Sequence, residues 1–227
     1  VSVFSGVGER VREGQELHQT LLEKKVLDSV SLILGTMGEN PAIRFLTALT
    51  GATIAEYFRD ILKQDVLFFI DNVFRFAQAG NELSILMRTI PSEDGYQVTL
   101  TSEMASFHER LVSNTKASIS TVEAIYVPND DILDQGVQAI FPYLDSTVVL
   151  SRNIYQQGYL PAIDILSCTS SNLNAETVGD LHYQTAIKAQ NLLKESVALD
   201  RIVSLVGETE LSPNDKVTYQ RAKKLWN

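Results

Sequence analysis

The run Val66-Leu67-Phe68-Phe69-Ile70-Asp71-Asn72 limits the fold more than any other stretch of this sequence. Its apolar part has strand length, and it is apolar at every position rather than at alternate ones, as a central strand covered on both faces should be. Such a strand belongs to a parallel sheet, which needs crossover helices, and patterns of that kind flank it. A helix is expected from Pro41 to about Leu62: Pro41 suits the first turn, and Ala42, Phe45, Ala48, Leu49 and Ala52 trace one buried face. Another is expected near Glu13–Lys24, and further strands at Val1–Phe4, Val30–Leu34, Ser118–Val127 and Ser146–Leu150. The alternation predicts an α/β fold with a mostly parallel sheet and helices on both faces. From about Asn172 only helical patterns remain. Tyr183, Ala186, Ile187, Leu193 and Val197 form one stripe, and Ser212-Pro213 opens a further helix. The expected division is an α/β domain at 1–171 and the start of a helical domain at 172–227. Val1 reads as a strand already under way, and Arg221–Asn227 stops inside a helical pattern without a cap, so both ends read as cut.

Charge narrows the partners. With 28 acidic against 19 basic residues the net charge is -9, which repels nucleic-acid phosphates, and no basic stripe interleaved with aromatics is visible. The single cysteine, Cys168, has no internal disulfide partner, and its apolar neighbours Ile165 and Leu166 predict a buried thiol in a reducing compartment. No apolar run approaches the ~18–20 residues of a membrane span, so any membrane association is expected through partner subunits. The three histidines, His18, His108 and His182, have no metal-ligand spacing and read as solvated or packing residues.

The chemistry gathers at strand ends. In open α/β sheets ligands bind at the carboxyl ends of strands, so Asp71 is delivered where a ligand would sit, and a carboxylate there can hold the water shell of Mg²⁺. On this motif alone the simpler reading is that the Asp caps the next helix, as apolar strands often end in Asp for that reason. Val3-Phe4-Ser5-Gly6-Val7-Gly8-Glu9 runs a second strand into a two-glycine turn. It is not a dinucleotide fingerprint: Val11 replaces the third glycine, and Asp28 precedes the next strand rather than ending it. What remains is Glu9 at one strand end beside Asp71 at another, with Glu13 close by. Two such acids can divide the tasks of phosphoryl hydrolysis, one positioning metal and one orienting water. Spacing alone also allows Glu9 and Glu13 merely to favour a helix N-terminus.

Longer blocks carry a resemblance. Gly6-Val7-Gly8-Glu9-Arg10, Ala55-Glu56-Tyr57-Phe58-Arg59-Asp60 and Phe69 to Gly80 (FIDNVFRFAQAG) are similar to blocks of the catalytic β subunit of F-type ATP synthases. Ile90-Pro91-Ser92 with Gly95-Tyr96-Gln97, Ala124–Pro128 with Asp130-Asp131, Leu144–Thr147 and Leu150-Ser151-Arg152 follow in the family's order. The non-catalytic α subunits carry Gln where Glu9 stands, and export ATPases lack the Asp71–Phe76 block as written here. The resemblance implies a RecA-like P-loop NTPase core followed by a truncated α-helical subdomain, without the N-terminal barrel, the P-loop or the C-terminal end. It implies ATP and ADP as substrates with Mg²⁺. Glu9 would polarise the attacking water and Arg10 would orient it and the phosphates. Asp71 would hold Mg²⁺ through water with Glu13 behind it, Asn72 and Arg75 would form a polar floor, and Tyr126 would line the pocket. It further implies α-type neighbours in an alternating hexameric ring that supply an arginine in trans, and a central γ-type rotor stalk. The parent would lie peripheral to an energy-transducing membrane, facing the cytoplasm, mitochondrial matrix or chloroplast stroma.

The sequence departs from that pattern in places. No Gly-x-x-x-x-Gly-Lys-Ser/Thr occurs; family order puts that loop before Val1, so this chain alone is expected neither to bind ATP tightly nor to hydrolyse it. Where the family has an adenine-stacking Tyr before Pro, Leu160 precedes Pro161 and Tyr159 sits one place earlier. Cys168-Thr169-Ser170-Ser171 lacks the family's Arg. The rotor-facing loop resembles Glu208-Thr209-Glu210-Leu211-Ser212-Pro213-Asn214-Asp215, with Pro213 and Asn214 in place of acids, leaving Glu208, Glu210, Leu211 and Asp215 as expected rotor contacts. These changes fit a divergent β-like subunit, and the alternative is a non-hydrolysing, nucleotide-holding or structural ring member.

Overall fold

The computed structural model describes residues 1–226. It divides into two compact units, Val1–Tyr143 and a second from Leu144 onward. In the first, β1 (Ser2–Glu9), α1 (Val11–Glu23), β2 (Val30–Thr36), α2 (Pro41–Asp60), β3 (Val66–Asp71), α3 (Val73–Leu86), α4 (Leu100–His108), β4 (Ile119–Ala124) and the short α5 (Gln135–Gln138) follow in order. The strands form one sheet in the order β2-β1-β3-β4, parallel throughout. The expected α/β architecture is therefore present, with β3 in an interior position.

Local chemistry sets the helix starts. Asn40 accepts from the Ala42 amide at 2.8 Å, and Pro41 follows in the first turn, where its missing N–H leaves no bond unmade. Asn72 does the same for α3, accepting from the Phe74 amide at 2.9 Å. Helices α2, α3 and α4 pack on one face of the sheet, where Val3, Ser5, Val7, Phe68 and Ile70 are buried. Rings from three elements join there. Phe45 of α2 stacks on Phe76 of α3 at 4.6 Å, and Phe76 meets Phe107 of α4 at 5.2 Å. Phe107 in turn lies 6.3 Å from Phe68 of β3. Phe68, Phe76 and Phe107 are fully buried and Phe45 half-buried, and rings of this size bury a large apolar area.

On the other face α1 lies beside β2, so helices flank both faces as expected, but unevenly. Register places Leu34, Gly6, Asp71 and Ala124 in one row there, with Phe4, Phe69 and Val122 in the row below. Leu67 remains 39% exposed and Val122 53%, so the apolar run of β3 is covered on its helix side and partly open on the other. α1 lies along the β2 side of this face, where it forms a groove over Leu32 and Leu34.

The second unit holds β5 (Ser146–Thr147), α6 (Arg152–Gln156), β6 (Thr169–Ser170), α7 (Ala175–Val178), the long α8 (Asp180–Val206) and α9 (Pro213–Trp226). Here the strand expected at Ser146–Leu150 is corrected. Only two residues pair, antiparallel to β6 in a separate two-stranded sheet, and Leu150 makes an isolated bridge to Ile163. Hydroxyls rather than apolar contacts hold this ladder, with Thr147 Oγ1 2.8 Å from Thr169 Oγ1 and Val148 69% exposed. Cys168 is half-buried, its sulfur accepting from the Val149 amide. Along α8 the inward side runs through Leu193, Ser196 and Leu199, while Val197, expected on the stripe, is 44% exposed. Ser212 caps α9, accepting from the Asp215 amide at 3.2 Å.

Candidate functional site

The carboxyl ends of β1 and β3 bring two acids together. Gly6 pairs with Asp71 across the ladder, and a shift of register between Val7 and Glu9 then turns the chain. Gly8 makes that turn at φ +70°, which a side chain would strain, and a Cβ there would also stand 3.0 Å from Arg75 Cδ. Gly6 serves the site differently. A Cβ at this position would press on Leu34 Cδ2 at 2.8 Å and on Glu9 Cγ at 3.0 Å, so its absence makes the space Glu9 occupies. The Arg75 guanidinium, from the first turn of α3, donates to the Gly8 carbonyl and ties the two strand ends.

Electrostatics mark the pair. Burial, the nearby Asp71 charge and a hydrogen bond with Glu13 push the Glu9 carboxyl up to about 7, against the pull of Arg75. Asp71 is also raised, chiefly by burial, with Arg75 lowering it and Glu13 raising it. Two carboxylates and one guanidinium therefore share a half-buried corner, a shortage of positive charge that a cation could relieve. Among the described residues no three His, Cys, Asp or Glu side chains converge as a direct metal cage. The donor set instead fits a hydrated divalent ion reached through water.

The other expected site residues fall into place unevenly. Arg10 points to solvent, 66% exposed, and reaches Glu13 at 3.5 Å. The Asn72 side-chain oxygen is engaged by the Phe74 amide and, at 3.4 Å, by the Tyr126 amide. The Tyr126 ring leans on Phe74 at 5.9 Å and stays 57% exposed. Tyr126, Arg75 and Gly8 line a cleft of about 420 Å³ with Met37, Arg44, Gln78 and Glu82, while Glu9 and Arg10 stand at the groove beside α1. The pair of Arg44 with Glu82 in that cleft joins α2 to α3. Its members lie 38 residues apart, and no periodicity in a single sequence signals it.

Within the second unit, the Tyr159 ring lies 5.5 Å from Trp226, tilted 36°, and Leu160 is 75% exposed. In the acidic loop Glu208 pairs with Lys223 at 3.6 Å, Glu210 is exposed, and Asp215 accepts from the Ser212 hydroxyl at 2.7 Å. Leu211, expected to face a rotor, is buried at 6% exposure with Leu199 and Tyr219. Its aliphatic side chain seats the loop on the helices, with Glu208 and Asp215 half-buried and Glu210 exposed.

Comparison with known proteins agrees with this architecture. The family model for the ATP synthase alpha/beta family, nucleotide-binding domain, matches residues 1–170, and that for the C-terminal domain of V and A type ATP synthase matches residues 171–227. The structure is similar to that of a unique ATP synthase subunit, NeqB, from Nanoarcheaum equitans, with a TM-score of 0.86 and 24% identity. That likeness shows the fold; it covers 98% of this chain and 56% of the other, so the chain spans about half the length of the subunit it matches. With a family match across most of its length, joining the strand-end acids to a nucleotide-binding fold, the chain belongs to the ATP synthase alpha/beta family.

Proposed function

We propose that the parent protein is a catalytic, β or β-like, ring subunit of a rotary ATP synthase or ATPase, with Glu9 as the acid that acts on the attacking water. The observation that carries this reading is the Glu9 carboxyl, pushed up to about 7 beside Asp71 at the ends of two adjacent parallel strands. A general base is most effective when its pKa lies near the working pH. Asp71 would hold the water shell of Mg²⁺ with Glu13 behind it, and the ion would supply charge neutralisation at the phosphate oxygens. Arg75 fixes the backbone that carries Glu9, and Arg10, exposed and paired with Glu13, would turn to orient the phosphates. Asn72 and Tyr126 would border the pocket, and Tyr159 and Leu160 the base.

In this reading residues 1–171 form the nucleotide-binding domain and 172–227 open the helical domain. An α-type neighbour completes each pocket with an arginine in trans, and Glu208, Glu210 and Asp215 face a γ-type stalk that couples ATP turnover to ion translocation. No helix among the described residues is long and apolar enough to cross a membrane, and attachment would be peripheral, through the complex. The F-type assignment rests on the motif blocks, chiefly Asp71–Gly80, whereas the match of residues 171–227 is to the V and A type domain. The test is Glu9→Gln in the full-length subunit assembled with its partners. Hydrolysis is expected to fall by more than tenfold, above ~1.4 kcal/mol, and survival within tenfold refutes the role given to Glu9.

A second reading, a nucleotide-holding ring member without turnover, is favoured by one observation. The Tyr159 ring tilts against Trp226 at 5.5 Å, and the exposed Leu160 beside it offers a base less stacking than an aromatic ring would. Intact Glu9, Asp71 and Arg75 oppose it, because buried charges without a ligand are costly to keep.

A further inference from the structure

His108 and Glu123 form a buried pair on the helix-covered face of the sheet. Their side chains are 5% and 4% exposed, and Nε2 lies 3.0 Å from Oε2. The second ring nitrogen, Nδ1, is 2.7 Å from the Met104 carbonyl oxygen. A carbonyl can only accept, so Nδ1 carries a hydrogen. A proton must then also lie between Nε2 and Oε2, because two lone pairs facing one another in a dry site would leave both groups unsatisfied. Imidazolium with carboxylate and imidazole with carboxylic acid both meet this condition, and in each form the pair is neutral overall. The Tyr143 ring stacks on the imidazole at 4.7 Å and 10°, with Phe107 edge-on at 5.1 Å, which fixes the ring plane.

The position of this pair gives it a task. Among the described residues β4 is an edge strand, bonded to β3 alone. Its residues on the helix side are Ile119, Thr121 and Glu123, of which Thr121 is exposed. Ile119 anchors the beginning of the strand and Glu123 its end. Immediately beyond Glu123, Ala124 pairs with Asp71, and two residues later the Tyr126 amide meets Asn72. The Glu123 carboxyl lies on the opposite face of the sheet from Asp71, so it acts on the site only through the backbone.

We propose that His108 and Glu123 are positioning residues, a shared-proton couple that clamps the end of β4 to α4 and so holds Ala124 against Asp71 and Tyr126 against Asn72. The proposal deepens the reading of the site given above, but its test uses no nucleotide. The probes are the ¹⁵N signals of His108 and the amide exchange of Ala124 and Tyr126 in the full chain. His108 is expected to show hydrogen on Nδ1, together with a proton shared between Nε2 and Glu123. Glu123→Gln, whose amide N–H can donate to Nε2, should keep exchange within about threefold of wild type. Glu123→Leu and His108→Leu each strand one buried polar group and should raise exchange tenfold or more. The double variant His108→Leu/Glu123→Leu strands neither and should return most of the way. Should a single leucine variant fail to fold, Glu123→Gln and the double variant still decide the matter. The proposal is overturned if the variants lower thermal stability without changing exchange at Ala124 and Tyr126, or if no proton lies between Nε2 and Glu123. Failure of the full-length subunit to hydrolyse ATP, with this exchange pattern intact, would instead overturn only the catalytic reading.

Discussion

Replacing Asp71 by Asn removes the charge that, after burial itself, does most to raise Glu9. The Glu9 carboxyl, now pushed up to about 7, should then fall, but stay above its ordinary 4.5 because burial persists. The sign of the stability effect follows from proton linkage. The folded chain keeps a proton on Glu9 that the unfolded chain releases near 4.5, so this stability is present below that pH and is lost as pH rises through about 7. The span from 4.5 to about 7 corresponds to ~3.4 kcal/mol at most, and partial access of water to the carboxyl screens this to about 1–2 kcal/mol. If Asp71 is responsible for about half, Asp71→Asn stabilises the chain by roughly 0.5–1 kcal/mol at pH 8, a rise in Tm of about 1–4 °C. At pH 5, where Glu9 is already protonated, this gain should vanish. Because the Asp71 carboxyl is itself raised, its own ionisation adds to the pH 8 minus pH 5 difference with the same sign, and the fall in the Glu9 midpoint separates the two contributions. Thermal melts at the two pH values and a ¹³C carboxyl titration of Glu9 are the assays. Equal Tm changes at both pH values, or a Glu9 midpoint that stays at about 7, would refute the argument.

Gly8→Ala forces a side chain into φ +70° and against Arg75, and should cost about 1–2 kcal/mol, read as a fall in Tm. Phe76→Ala empties the centre of the ring ladder formed with Phe45 and Phe107, and should cost about 3–5 kcal/mol in chemical denaturation. The chain studied as residues 1–227 should show no micromolar MgATP binding by calorimetry, since it contains no Gly-Lys phosphate cradle, and micromolar binding would contradict that.

What could be read from the sequence follows from range. β3 was legible because an apolar run ending in Asp is a local signal, and α2 because Asn40-Pro41 and its apolar period are local too. Glu9 and Asp71 were legible as candidates because strand ends are where such sheets bind ligands, although only the family blocks chose between chemistry and capping. Ser146–Leu150 reads as a longer strand than the two-residue β5, because Val148, Val149 and Leu150 look like strand residues whether or not they find a partner. Leu211 carried no mark of its burial, since Leu199 and Tyr219, which cover it, come from separate helices. His108 read as a solvated or packing residue because its carboxylate partner lies 15 residues away on a strand, beyond any periodic pattern.

The central claim, that ATP chemistry takes place between Glu9 and Asp71, is tested most directly by a structure of the assembled full-length complex with MgADP and a γ-phosphate mimic. The mimic is expected at the carboxyl ends of β1 and β3, with Glu9 about 3 Å from the water in line with it and the metal's water shell resting on Asp71. A mimic seated away from these two acids, or a pocket that holds nucleotide with Glu9 turned from the phosphate, would contradict it.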